Sequence, residues 1–134
     1  MPFVLCSDFT IFPDDLQLGP IFTLSGMDFQ DAPSSKFTSF VNRTAGLNGL
    51  QFGDVGLEVT LPTIVPWARM HVGQFNTAFT IEAIDPNGTT VHTYSANKPN
   101  SYYFANFPRG DIASFRFTGG GNEGVIVSLC VFVP

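Results

Sequence analysis

Residues 79–94, FTIEAIDPNGTTVHTY, decide the fold class. Phe79, Ile81 and Ala83 alternate with Thr80 and Glu82, and side chains two apart on an extended chain share a face. The run stops at Asp85-Pro86-Asn87-Gly88, where Pro86 presets φ at one corner and Gly88 tolerates a positive φ. A second alternating run starts at Thr89, with Val91 expected on the buried side. This is a β-hairpin with one wet face.

The same period continues on both sides. In GLEVTLP (56–62), Leu57, Val59 and Leu61 point one way and Glu58 and Thr60 the other, with Pro62 and Pro66 expected to bracket a turn. In WARMHVGQF (67–75), Ala68, Met70 and Val72 oppose Arg69 and His71. Further strands are expected over 102–107, 112–118 and 124–133. The last of these, GVIVSLCVFV, is apolar on both faces and reads as a central strand. The first half is less regular. It predicts strands over 3–12, 21–29 and 37–41, and a loop over 42–53, where Gly46, Gly49 and Gly53 fall. The total, about eight to ten strands, suits an all-β, two-sheet antiparallel β-sandwich of the jelly-roll kind, formed as a single domain over residues 1–134.

Composition narrows the partners. Fifteen phenylalanines and only 13% charged residues leave much apolar surface to bury and few charges to cover the outside. A net charge of −5, with Lys36 and Lys98 the only lysines, opposes nucleic acid and anionic membranes. The longest apolar run, Val125 to Val133, is too short to span a bilayer. The N-terminal MPFVLCSDF lacks a basic region and meets Asp8 early, so it does not read as a signal peptide: either the mature form is shown, or export uses another route, or the protein stays inside, with an extracellular or particle-associated location the expectation. Cys6 and Cys130 lie near opposite ends. If the first and last strands pair, the two can form a disulfide closing nearly the whole chain; otherwise they are two buried thiols.

No cluster announces catalysis. Gly119, Gly121 and Gly124 satisfy G-x-G-x-x-G, but a strand follows where a phosphate loop needs a helix. His71, His92, Arg69 and Glu82 fall on outward parities and are expected to share a polar patch on one sheet, without zinc-ligand spacing. There is no nucleophile elbow, and no pair of acids spaced for glycoside hydrolysis. The chain therefore reads as a non-enzyme. The residues suited to a sugar are the rings of Trp67, Tyr94, Tyr102 and Tyr103, against which a pyranose C–H face can stack. Asn76, Asn122 and Glu123, expected on end loops, can bond its hydroxyls. Tyr102 and Tyr103 are adjacent and must point to opposite faces.

GLEVTLP, WARMHVGQF, the hairpin from Ile81 to Val91 and DIASFRFTGGGNEGVIVSLCVFV (111–133) together resemble bacterial galactose-binding-like sandwiches, the jelly-roll group that includes many carbohydrate-binding modules. The resemblance covers about residues 50–133 and is one of rhythm. It implies a ligand on the loops at one end of the sandwich and a structural calcium, with no other cofactor. The reading that follows is a non-catalytic module for carbohydrate or a similar neutral ligand. The alternative is a structural subunit that self-assembles through its uncharged surface, as a shell, fibre or virion decoration protein does, and so forms a homo-oligomer.

Overall fold

The computed structural model describes residues 2–108 and 110–134. The strands are β1 (Phe3–Asp8), β2 (Ile21–Leu24), β3 (Met27–Asp31), β4 (Phe40–Thr44), β5 (Leu47–Phe52) and β6 (Leu57–Val65). They continue with β7 (Ala68–Gln74), β8 (Phe79–Ile84), β9 (Thr90–Ala96), β10 (Ser101–Phe107), β11 (Ile112–Gly119) and β12 (Gly124–Val133). One sheet runs β10-β7-β12-β5-β4, with β1 also paired to β12; the other runs β2-β3-β6-β11-β8-β9. Neighbouring strands are antiparallel. The two sheets pack as the expected sandwich. No helix among the described residues is long and apolar enough to cross a membrane.

The inward rows are those the alternation marks. Leu57, Val59 and Leu61 are buried between exposed Glu58 and Thr60, and Ala68, Met70 and Val72 are buried beneath the outward Arg69 and His71. Aromatic rings fill the space between the sheets. Phe22 stacks on Phe29 at 4.7 Å, Phe52 meets Phe79 edge-on at 5.2 Å, and Phe107 meets Phe115 at 5.2 Å. Each fully buried ring contributes about 1.5–3 kcal/mol of burial, so the phenylalanine content is in large part core.

The misread segments have identifiable causes. Residues 21–29 are a hairpin, because Ser25 (φ 53°) and Gly26 (φ 75°) both take the left-handed conformation of a tight two-residue turn. Residues 42–53 are not a loop: Ala45 (φ 49°) and Gly46 (φ 89°) make a second such turn joining β4 to β5. Strand β1 ends at Asp8, whose carboxylate accepts from the Thr10 N–H (2.9 Å) and starts a short 3-10 turn. Strand β6 runs through Pro62, where its pairing with β11 shifts register between Thr60 and Val65. Proline lacks the N–H a regular ladder requires, so it sits where the ladder is broken. Val91 is exposed instead of inward: Ala83 faces His92 and Ile84 faces Thr90, leaving Val91 as the extra residue of a bulge. The shift turns His92, Tyr94 and Ala96 inward, and His92 meets the buried Phe107 at 5.3 Å.

Strand β12 is central, as its two apolar faces predict. It pairs with β7 along its length, with β5 at its start and with β1 at its end. Cys6 lies directly opposite Cys130, and the two form a disulfide spanning a sequence separation of 124. On the loop-entropy argument this bridge stabilises the fold by about 4–5 kcal/mol. Replacing both cysteines by serine should lower the urea midpoint accordingly, with the far-ultraviolet β signature retained below the transition. An unchanged midpoint would show that the bridge does not constrain the unfolded chain.

Candidate functional site

The outer face of the β10-β7-β12-β5-β4 sheet is curled. In a flat sheet β10 and β4 lie four strand spacings apart, about 19 Å. Yet the Tyr102 hydroxyl on β10 donates to the Thr44 carbonyl on β4 at 2.5 Å, well beyond what a tyrosine could bridge unless the two edges approach. Two glycines let the rings and chains lie this close. A Cβ on Gly73 would sit 2.6 Å from the Phe75 ring and 2.7 Å from the Tyr102 ring, and a Cβ on Gly49 would collide with Val125. The polypeptide lines a trough.

Along β7 and β10 the trough carries a row of rings. Phe75 meets Tyr102 at 5.0 Å, Tyr102 meets His71 at 5.6 Å, and His71 stacks on Phe104 at 4.5 Å and 23°. The Arg69 guanidinium covers Phe104 at 4.0 Å from the ring centroid. Phe104 remains 50% exposed. At the far end, Trp67, Val4, Ser128 and Cys130 join Arg69, His71 and Phe104 around a depression of about 300 Å³. A bulge in β12 between Ile126 and Ser128 is what points Ser128 and Cys130 outward while Leu129 and Val131 stay inside.

The residues singled out from sequence do not form one site. Trp67 precedes β7 and Asn76 follows it, so they lie at opposite ends of the sandwich, about 30 Å apart at 3.3 Å per residue. Tyr102 faces the trough, whereas Tyr103 points inward, its ring 6.3 Å from that of Tyr94. Asn76 and Asn122 are tied into the 119–124 turn. The Asn76 amide donates to the Gly121 carbonyl (3.1 Å), and Asn122 Oδ1 accepts from the Asp54 N–H (2.7 Å). Gln51 donates to the Asn122 carbonyl (2.6 Å), and Asp54 accepts from the Gly121 N–H (2.7 Å). Gly119, Gly120, Gly121 and Asn122 all have positive φ, which explains the glycine run as turn geometry. Glu123 is exposed beside this turn.

Two other recesses lie away from the trough. Asn122 borders one of about 290 Å³ with Lys36, Phe37 and Asp54. A recess of about 350 Å³ surrounds the exposed Arg116–Glu58 ion pair (3.3 Å) and has no aromatic lining. The expected patch of His71, His92, Arg69 and Glu82 does not form: Arg69 and His71 belong to one sheet, Glu82 and His92 to the other, and His92 is turned inward by the bulge. Sequence reasoning missed Phe104, although strict alternation from Tyr102 already placed it on the same outward face. Calcium takes six to eight oxygens, drawn from backbone and Asn or Gln carbonyls and water as well as carboxylates. Among the described residues no three His, Cys, Asp or Glu side chains converge.

No protein-family model and no curated protein sequence matches the chain. Solved structures do share its fold. The unliganded CBM1 module of BiXyn10A is 12% identical, with 96% of each chain covered and a TM-score of 0.50. The low-affinity xylan-binding module CBM86 of Roseburia intestinalis is 15% identical over 83% of this chain and 92% of that one, with a TM-score of 0.47. The family 32 module of C. perfringens NanJ, solved with galactose, is 17% identical over 98% and 93%, with a TM-score of 0.45. The chain thus has the two-sheet β-sandwich seen in carbohydrate-binding modules.

Two outcomes follow from the trough. Tyr102→Phe removes the edge-to-edge hydrogen bond and should cost about 1 kcal/mol in urea unfolding; no change would mean the curl does not depend on that bond. Burial, aided by the Arg69 charge, lowers the His71 pKa below its ordinary 6.5. As pH falls through 6.5 the unfolded chain therefore takes up the proton first, and stability declines until the folded imidazole also titrates. Proton NMR should show His71 titrating below 6.5 and moving upward in Arg69→Met, and His71→Gln should lessen the acid loss.

Proposed function

We propose that this protein is a non-catalytic module that binds carbohydrate in the trough on the outer face of the β10-β7-β12-β5-β4 sheet. The observation that carries this reading is the row of accessible rings ending at Trp67 and the half-exposed Phe104. A pyranose presents an apolar C–H face and a rim of hydroxyls. Trp67 and the exposed edge of Phe104, whose two faces are taken by Arg69 and His71, supply the apolar surface, and Arg69, His71 and Ser128 stand beside it as hydrogen-bonding partners. The depression's lining contains no Asp or Glu, whereas glycoside hydrolysis uses two carboxylates across the scissile bond. The sandwich shared with the BiXyn10A module supports the same reading, and the disulfide fits an oxidising, extracellular setting.

Binding should therefore depend on the sheet face and not on the end loop. Against a panel of soluble polysaccharides in affinity electrophoresis, followed by calorimetry on the best ligand, Trp67→Ala and Phe104→Ala should each weaken binding about tenfold, the equivalent of roughly 1.4 kcal/mol. Glu123→Gln should bind as the parent does. Parent-like affinity in both ring variants would sink the trough as the site, and loss in Glu123→Gln would move it to the loops.

A further inference from the structure

We infer that the trough selects glycans that carry an oxyanion, a uronate carboxylate or a sulfate ester, and that Arg69 is the residue that reads it. This deepens the proposed carbohydrate-binding role and rests on it. The argument starts from charge. The chain has eleven acidic and six basic residues, and what sets Arg69 apart from the other described cations is that it is held over a ring at the rim of a depression. Among the described residues the only ion pair is Arg116–Glu58, on the other sheet, and the Arg69 side chain makes no hydrogen bond. No carboxylate lines the depression. The acid on the same face of β1 is Asp8, opposite Ser128, and its Oδ1 already accepts from the N–H (2.9 Å) and hydroxyl (2.6 Å) of Thr10.

Arg69 is nonetheless held in place. Its guanidinium carbon lies over the Phe104 ring, 4.0 Å from the centroid, and its N–H groups are left without a hydrogen-bond partner among the described residues. The N–H fork of a guanidinium matches two oxygens of one carboxylate or sulfate, and a stacked arginine gives up less freedom in binding them than a mobile one. His71 covers the other face of the Phe104 ring, so a sugar stacked on Trp67 meets Phe104 at its edge and brings an acidic substituent beside the guanidinium. The protein's overall negative charge disfavours non-specific attraction of polyanions, so any preference for an acidic sugar must arise locally.

The test compares trigalacturonate, a sulfated galacto-oligosaccharide and neutral galactotriose by titration calorimetry at low and moderate salt. At least one anionic probe should bind about tenfold tighter than the neutral one, and the stronger of the two identifies the oxyanion. Salt should erode the preference. Arg69→Met should bring the anionic probes to the level of the neutral probe, and Arg69→Lys should restore the preference only in part, because an ammonium cannot present the fork. Unchanged urea midpoints would show that both variants fold. Equal affinity for all three probes, with neutral binding still weakened by Phe104→Ala, would overturn the anionic assignment and leave the carbohydrate reading standing. A preference that survives in Arg69→Met would overturn the role of Arg69. Absence of binding to both anionic probes would overturn the anionic assignment, and the polysaccharide panel decides the carbohydrate reading separately.

Discussion

Strand β12 forms ladders with three partners, β7 on one side and β5 then β1 on the other, and both of its faces are largely covered. The remaining features of its sheet depend on that placement. Because β1 returns antiparallel along the second half of β12, Cys6 meets Cys130 and the two ends of the chain are joined. Because β5 takes the first half only, the β4–β5 hairpin can leave the plane of the sheet and approach β10. A single bulge after Ile126 then exchanges the faces of every residue that follows it. Without that extra residue, Ser128 and Cys130 would point inward and Leu129 and Val131 outward, and neither the core nor the trough floor would exist in its present form.

The trough follows from that curl. Tyr102 spans it, Gly73 leaves room for two rings to lie on the backbone, and the aromatic row extends along the two strands where the edges converge. The surface thus combines an apolar platform with one stacked, unpaired cation. The 119–124 turn performs different work. Its backbone groups and the Asn122 side chain bond with Asp54, Asn76 and Gln51 in a network that holds the end of the sandwich, while Glu123 stays exposed. The motif most conspicuous in the sequence is accounted for by backbone geometry, and the candidate binding face is assembled from strand positions that look ordinary when read singly.

The errors of sequence reading cluster where one residue changes the parity of a strand or where a turn lacks its commonest signal. Ser25-Gly26 and Ala45-Gly46 make tight hairpin turns without the Asn-Gly or Asp-Gly pair that announces them. The bulge at Val91 reverses every later residue of β9, which is why His92 and Tyr94 are found inside. Pro62 breaks a ladder without ending the strand because the register is already interrupted there. Each is a local exception to a period-2 rule that holds on both sides of it.

The order of apolar and polar residues was by itself sufficient for the all-β sandwich, the central last strand, the Asp85–Gly88 turn and the inward rows of β6, β7 and β8, because side-chain alternation is a property of the extended backbone alone. The same alternation held Tyr102 and Phe104 on one face. Only the tertiary structure decided that this face is concave, that Trp67 shares it while Asn76 and Asn122 do not, and that Arg69 lies on Phe104. These are relations between strands far apart in the chain. Curl, register and bulges set them, and those depend on how whole sheets pack and not on any local run of residues.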